Sequence, residues 1–126
     1  MIEADSVTVT VLVDNLAPEP LVPEYGFAAL VTSDTGAILF DTGQLDALVR
    51  NAAILGIDLG LPRILVLSHG HYDHTGGLAE LFQINPELTV FFHPGLSSGH
   101  YSLHPGKPVK NISMPEPSRR VFEGIS

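Results

Sequence analysis

"SHGHYDHTGG" occupies residues 68–77 and places three histidines and an aspartate, His69, His71, Asp73 and His74, within six consecutive positions. Imidazole nitrogens and carboxylate oxygens are ligands for zinc and other borderline divalent ions. His69 and His71 stand two apart, so in a tight loop leaving a strand both rings can turn to one side and share an ion. Asp73 and His74 then turn back across the same opening, and Gly70, Gly76 and Gly77 give the backbone its freedom to do so. Three imidazoles and a carboxylate in one concavity would otherwise meet mutual desolvation and, in mild acid, like-charge repulsion; a divalent cation removes that conflict. A surface loop rich in histidine and held only by hydrogen bonds is the bland alternative. The pattern H-x-H-x-D-H directly behind an apolar run argues against it.

That apolar run is "RILVL", residues 63–67, a short continuous stretch expected as a strand covered on both faces. The motif begins at its C-terminal end, where sites form in open α/β sheets. Further upstream, "SVTVTVLV" alternates, with Val7, Val9, Val11 and Val13 on one face and Thr8, Thr10 and Leu12 on the other, and reads as a strand ended by Asp14-Asn15. Pro18, Pro20 and Pro23 make the segment 16–26 an extended loop. Two apolar runs, 27–31 and 37–40, flank the turn sequence "SDTG" and predict a hairpin. After "DTG", Leu45, Leu48, Val49 and Ala52 recur at helical spacing, with Thr42 as N-cap and Gly56 as stop, a helix of about three turns. Beyond the motif, Leu78, Leu81 and Phe82 predict a short helix capped by Thr75 and stopped near Asn85-Pro86, followed by a strand "LTVFF" that ends at His93. The order strand, hairpin, helix, strand, helix, strand is an α/β layer. From Gly95 onward periodicity fades, and Pro105, Pro108, Pro115 and Pro117 mark loops, so residues 95–126 are expected to be loop-rich.

At 126 residues, 44% apolar and 16% charged, the chain has the composition of one globular domain over residues 1–126. Its net charge of −8 repels phosphate backbones and argues against nucleic acid or an anionic membrane as partner. An anionic substrate would need a local cation. Lys107, Lys110, Arg119 and Arg120 all fall in the last twenty positions, where a solvated role is favoured over a substrate-facing one. With no cysteine there is neither a thiolate site nor a disulfide framework. "MIEADSV" lacks the basic and apolar regions of a signal peptide, and no run approaches the roughly 20 apolar residues that cross a bilayer, so a soluble, cytoplasmic protein is the expectation.

"LSHGHYDHTGG" with "ILFDTG" upstream resembles the metallo-β-lactamase superfamily. The larger set "VLVDN", "ILFDTGQ", "LGIDL", "LVLSHGHYDHTGG" and "FFHPG" is similar, more narrowly, to its dihydropterin-ribofuranosylaminobenzene phosphate synthase-like metallohydrolases. The resemblance implies an α/β fold, the N-terminal half of an αββα sandwich whose two halves meet at a metal site. It makes His69 and His71 ligands of a first metal and Asp73 and His74 ligands of a second, with Asp73 also orienting the attacking water. Asp41, in the "DTG" element, is implied near the site as a carboxylate that orients ligands, against an equal reading as a helix cap. Asp14 and Asn15 match a strand end near the site, with a turn role favoured.

Members of the superfamily take further ligands from a second half that this chain does not reach, so the domain reads as truncated. His93 at a strand end, and His100 and His104 in the tail, are the remaining imidazoles. The expected function is a metal-dependent hydrolase that cleaves an ester or phosphoester of a small molecule through a metal-bound hydroxide, with one or two ions of zinc, iron or manganese. The alternative is a non-catalytic metal-binding or interaction module. A half sandwich leaves an apolar sheet face, to be covered by a homodimer partner or by the missing C-terminal half.

Overall fold

The computed structural model describes residues 6–125; residues 1–5, part of the acidic stretch read above against a signal peptide, lie outside them. Strand β1 (Val7–Val13) pairs antiparallel with β2 (Ala28–Ser33), which forms the expected hairpin with β3 (Gly36–Phe40). Helix α1 (Ala47–Leu55) then crosses to β4 (Ile64–Val66), parallel to β3. The one-turn helix α2 (Tyr72–Thr75) and α3 (Leu78–Ile84) lead to β5 (Thr89–Phe91), parallel to β4. The sheet order is β1-β2-β3-β4-β5. Among the described residues no helix is long and apolar enough to cross a membrane.

Register decides which side chains meet the helices. Thr10, Leu30, Leu39, Leu65 and Val90 lie in one row across the five strands and face the helical layer. Leu39 and Leu65 are fully buried there, in one cluster with Leu48, Ala52, Leu78, Leu81 and Phe82 from α1 and α3. The adjacent rows carry the opposite face: Val9, Val31, Ile38, Ile64 and Thr89, then Val11, Ala29, Phe40, Val66 and Phe91. On that face Val9 (61%), Ile38 (39%) and Phe91 (55%) stay open to solvent, while Ala29 at its centre is buried. The strand at 63–67 is therefore covered on one face only: Leu65 is buried, whereas Ile64 and Val66 are half-buried.

Two predicted caps are corrected. Thr42 does not cap α1, because the helix begins only after Asp46 and the Thr42 hydroxyl is drawn instead to the His74 carbonyl at 2.9 Å. The Glu24 carboxylate, reaching in from the proline loop, accepts from the N–H groups of Gln44 (2.9 Å) and Leu45 (3.0 Å) ahead of the helix. Gly56 stops α1 as expected, in the left-handed conformation with φ 70°. Thr75 does not cap α3: it belongs to α2, its hydroxyl donates to the His71 carbonyl, and Gly77 precedes α3.

The tail is also more ordered than its prolines suggested. A 3-10 turn (Pro94–Ser97) and a two-stranded ribbon, β6 (Tyr101–Ser102) with β7 (Lys110–Asn111), precede helix α4 (Glu116–Ile125). Pro117 sits in the first turn of α4, where its missing N–H costs nothing. α4 buries Ser118 and Phe122 and packs against α3.

Candidate metal centre

β3 and β4 are neighbours, so the residues that leave their C-terminal ends, Asp41 and Ser68, emerge side by side. The Asp41 N–H donates to the Val66 carbonyl (2.9 Å), and its backbone takes a positive φ of 57°, a conformation that aspartate tolerates better than most residues. This places a fully buried carboxylate beneath the motif. It accepts from the Ser68 N–H (2.8 Å), from the Ser68 hydroxyl (2.6 Å) and from His74 Nδ1 (2.7 Å).

A proton count along this chain sets the imidazole tautomers. The Ser68 hydroxyl has one hydrogen, which it gives to Asp41; His69 Nδ1, 2.7 Å from the same oxygen, must then be the donor. His74 Nδ1 likewise donates to Asp41. Both rings therefore carry their proton on Nδ1 and offer the Nε2 lone pair outward, the arrangement in which a carboxylate orients metal-ligating histidines. The helix-cap reading of Asp41 gives way to the orienting one.

The rings converge. His69 lies 4.6 Å from His71 and 4.1 Å from His74 between centroids. His69, His71 and Asp73 bring one potential ligand atom each within 4.8 Å of one another, as do Asp41, His69 and His74. His74 Nε2 is 3.7 Å from the Asp73 carboxylate. Burial, followed by the nearby His74 and His71, holds His69 below the ordinary imidazole pKa, with Asp41 and Asp73 pulling the other way. A neutral imidazole is the form that binds a metal.

The glycines of the motif are needed for close approach. A Cβ on Gly77 would collide with the Thr42 carbonyl, and one on Gly70 with the Leu96 carbonyl. Thr42 ties the two segments further, its N–H donating to the His74 carbonyl (2.9 Å) and its hydroxyl accepting from the Gly77 N–H (3.1 Å). The donor set His69, His71, Asp73 and His74, three imidazoles and one carboxylate around one opening, fits a divalent cation.

Other candidates separate. His93 is exposed, and its Nδ1 accepts from the Gly95 N–H (3.0 Å), capping its own turn rather than entering the site. The His100 ring stands 5.1 Å from that of His71, with its Nε2 buried and unpartnered. His104 lines a cavity of about 680 Å³ that His71 and Asp73 also line. Asp14 accepts from the Asn15 N–H, a local turn, while Asn15 accepts from the Gly26 N–H (3.1 Å), and Gly26 abuts the Asp73 carbonyl. Ser68 was missed from the sequence. Its one signal is its position between the strand end and the first histidine.

The family model of the metallo-β-lactamase superfamily matches residues 21–104, and the chain belongs to that superfamily. Among its relatives, the 7,8-dihydropterin-6-methyl-4-(beta-D-ribofuranosyl)-aminobenzene-5'-phosphate synthase of Methanocaldococcus jannaschii is 28% identical over 82% of this chain and 38% of its own length. A hydroxyacylglutathione hydrolase of Xanthomonas axonopodis pv. citri is 41% identical over 50% of this chain and 24% of its own. A solved metal-dependent hydrolase of the β-lactamase superfamily superimposes with a TM-score of 0.65 at 30% identity, over 91% of this chain and 38% of that one. The chain thus spans about two fifths or less of these proteins.

Proposed function

We propose that this chain carries the metal-binding part of a hydrolase that cleaves an ester or phosphoester in a small molecule. His69, His71, Asp73 and His74 are the proposed ligands, and Asp73 the residue that orients the attacking water. The observation that carries the reading is the Asp41–Ser68 relay, which commits Nδ1 of both His69 and His74 to hydrogen bonds and leaves Nε2 of each as the atom available to a metal. A divalent metal bound there supplies a Lewis acid and lowers the pKa of a coordinated water to about 7. Zinc, iron and manganese all suit these donors, in one or two ions. The hydrolase names borne by relatives support the reaction class.

A non-catalytic metal-binding or interaction module is the second reading. It is favoured by the apolar side chains left open on one sheet face, Val9, Ile38 and Phe91, a surface suited to association. For the open sheet face the proposed cover is a second copy of this chain, which would lay the row through Val9, Val31 and Ile38 against its own counterpart.

The deciding experiment is elemental analysis of protein purified without added metal, with His69→Ala/His71→Ala as control. One or two ions per chain, lost in the control, are expected. Absence of metal from the wild-type chain overturns the hydrolase reading and leaves the fold untouched.

A further inference from the structure

The cavity beside the metal centre has a chemical character that the ligand motif does not explain. One wall is aromatic: Tyr25 and Tyr72 lie nearly parallel, 6.4 Å apart between centroids. The β6–β7 ribbon and the loop within it bring Lys107 and Lys110 to the same space. Lys110 Nζ lies 5.6 Å from the centre of the Tyr72 ring. The ribbon is fastened to the motif where the Tyr72 N–H donates to the Ile112 carbonyl (3.1 Å), which holds both lysines beside the ligands. Among the described residues neither lysine is within 4.0 Å of a carboxylate.

Only six residues of this chain are Lys or Arg, against 14 Asp and Glu. Two of the six lie in one cavity and outnumber its one carboxylate, Asp73, which gives a local surplus of positive charge in a negative molecule, and such a concavity concentrates anions. A flat apolar wall with a cation above it also accommodates a ring.

We propose that this cavity binds a small molecule made of a planar ring and an anionic group. The ring lies on Tyr25 and Tyr72, the anion is met by Lys107 and Lys110, and the bond to be cleaved is turned toward His71 and Asp73. The catalytic part of this assignment rests on the hydrolase reading; the binding part does not.

The test is calorimetric binding of phenylphosphonate, which is not hydrolysed, to chelator-treated and to zinc-loaded protein, with benzyl alcohol and methylphosphonate as controls. Phenylphosphonate is expected to bind the metal-free protein and to weaken with salt. Lys107→Ala/Lys110→Ala should weaken it about tenfold, the scale of two partly exposed charge contacts, with zinc content unchanged. Tyr25→Ala should weaken phenylphosphonate more than methylphosphonate. Equal affinity in the lysine variant, or benzyl alcohol binding as tightly as phenylphosphonate, overturns the proposal. Chelator-treated protein separates the two readings: phenylphosphonate binding retained without zinc, together with uptake of zinc when it is restored, supports both, and a wild-type chain that takes up no zinc but binds phenylphosphonate sinks the hydrolase alone.

Discussion

The two faces of the sheet are equally apolar and differ in what lies over them. On one, Leu30, Leu39 and Leu65 are buried beneath the helical layer and merge with its leucines into one cluster. On the other, Val7, Val9, Val11, Ile38 and Phe91 remain substantially exposed. Hydrophobicity alone therefore does not build a core; the crossovers through α1 and α3 choose one face, and the other is left as an apolar surface that favours association. The metal centre sits at neither face but at the strand ends, where β3 and β4 release Asp41 and Ser68 together.

The largest effect should come from the covered face. Leu39→Ala is expected to lower unfolding free energy by about 2–5 kcal/mol, as for other fully buried leucines, read from chemical denaturation. A loss no larger than at Val9 would erase the distinction between the faces. Next is Asp41→Asn, which keeps a side chain tolerant of positive φ but gives up the charge that receives Ser68 and His74. Zinc affinity, measured by competition with a chromophoric chelator, is expected to fall by about 10–100-fold; an unchanged affinity means that the relay does not orient the ligands.

Acidification should act in one direction. Because His69 is held below 6.5 in the folded chain, the unfolded chain binds more protons as pH drops through that region. The metal-free protein should therefore lose stability as pH falls from 6.5 toward the lower pKa of the folded state. A melting temperature that rises over that interval contradicts the placement of His69.

The smallest effect is expected on the open face. Val9→Lys with Phe91→Lys should change the unfolding free energy of the dilute, monomeric chain by less than about 0.5 kcal/mol per site, the ordinary surface value. The same pair should move the mass seen by light scattering from dimer to monomer. A wild-type chain that is already monomeric removes the proposed second copy, and a large loss of stability would mean that this face is packed after all.

Much of this was legible in advance because it is local. The alternation of β1 as far as Val11, the hairpin around "SDTG", the left-handed stop at Gly56 and the order of elements along the chain each follow from a few adjacent residues; past Val11 a bulge breaks the alternation, and Val13, read on the face of Val7, Val9 and Val11, is fully buried beside Leu12. The readings that failed were of two kinds. Thr42 and Thr75 have the composition of caps, but each is captured by a carbonyl of the motif, and Glu24 takes the place of the first. α4 was hidden because Pro115 and Pro117 read as breakers, although proline in a first helical turn removes no hydrogen bond that would have formed.

The sequence by itself determined the class of chemistry: the spacing of His69, His71, Asp73 and His74 behind an apolar strand suffices to bring metal-type ligands to one place. Tertiary structure alone decided how they are held and what faces them. Asp41 reaches His74 across 33 residues because β3 and β4 are adjacent, and Lys107 and Lys110 reach the cavity because β6 and β7 fold back over Tyr72. Contacts of that range leave no periodicity in a sequence, since they depend on which strands pair and not on the residues between them.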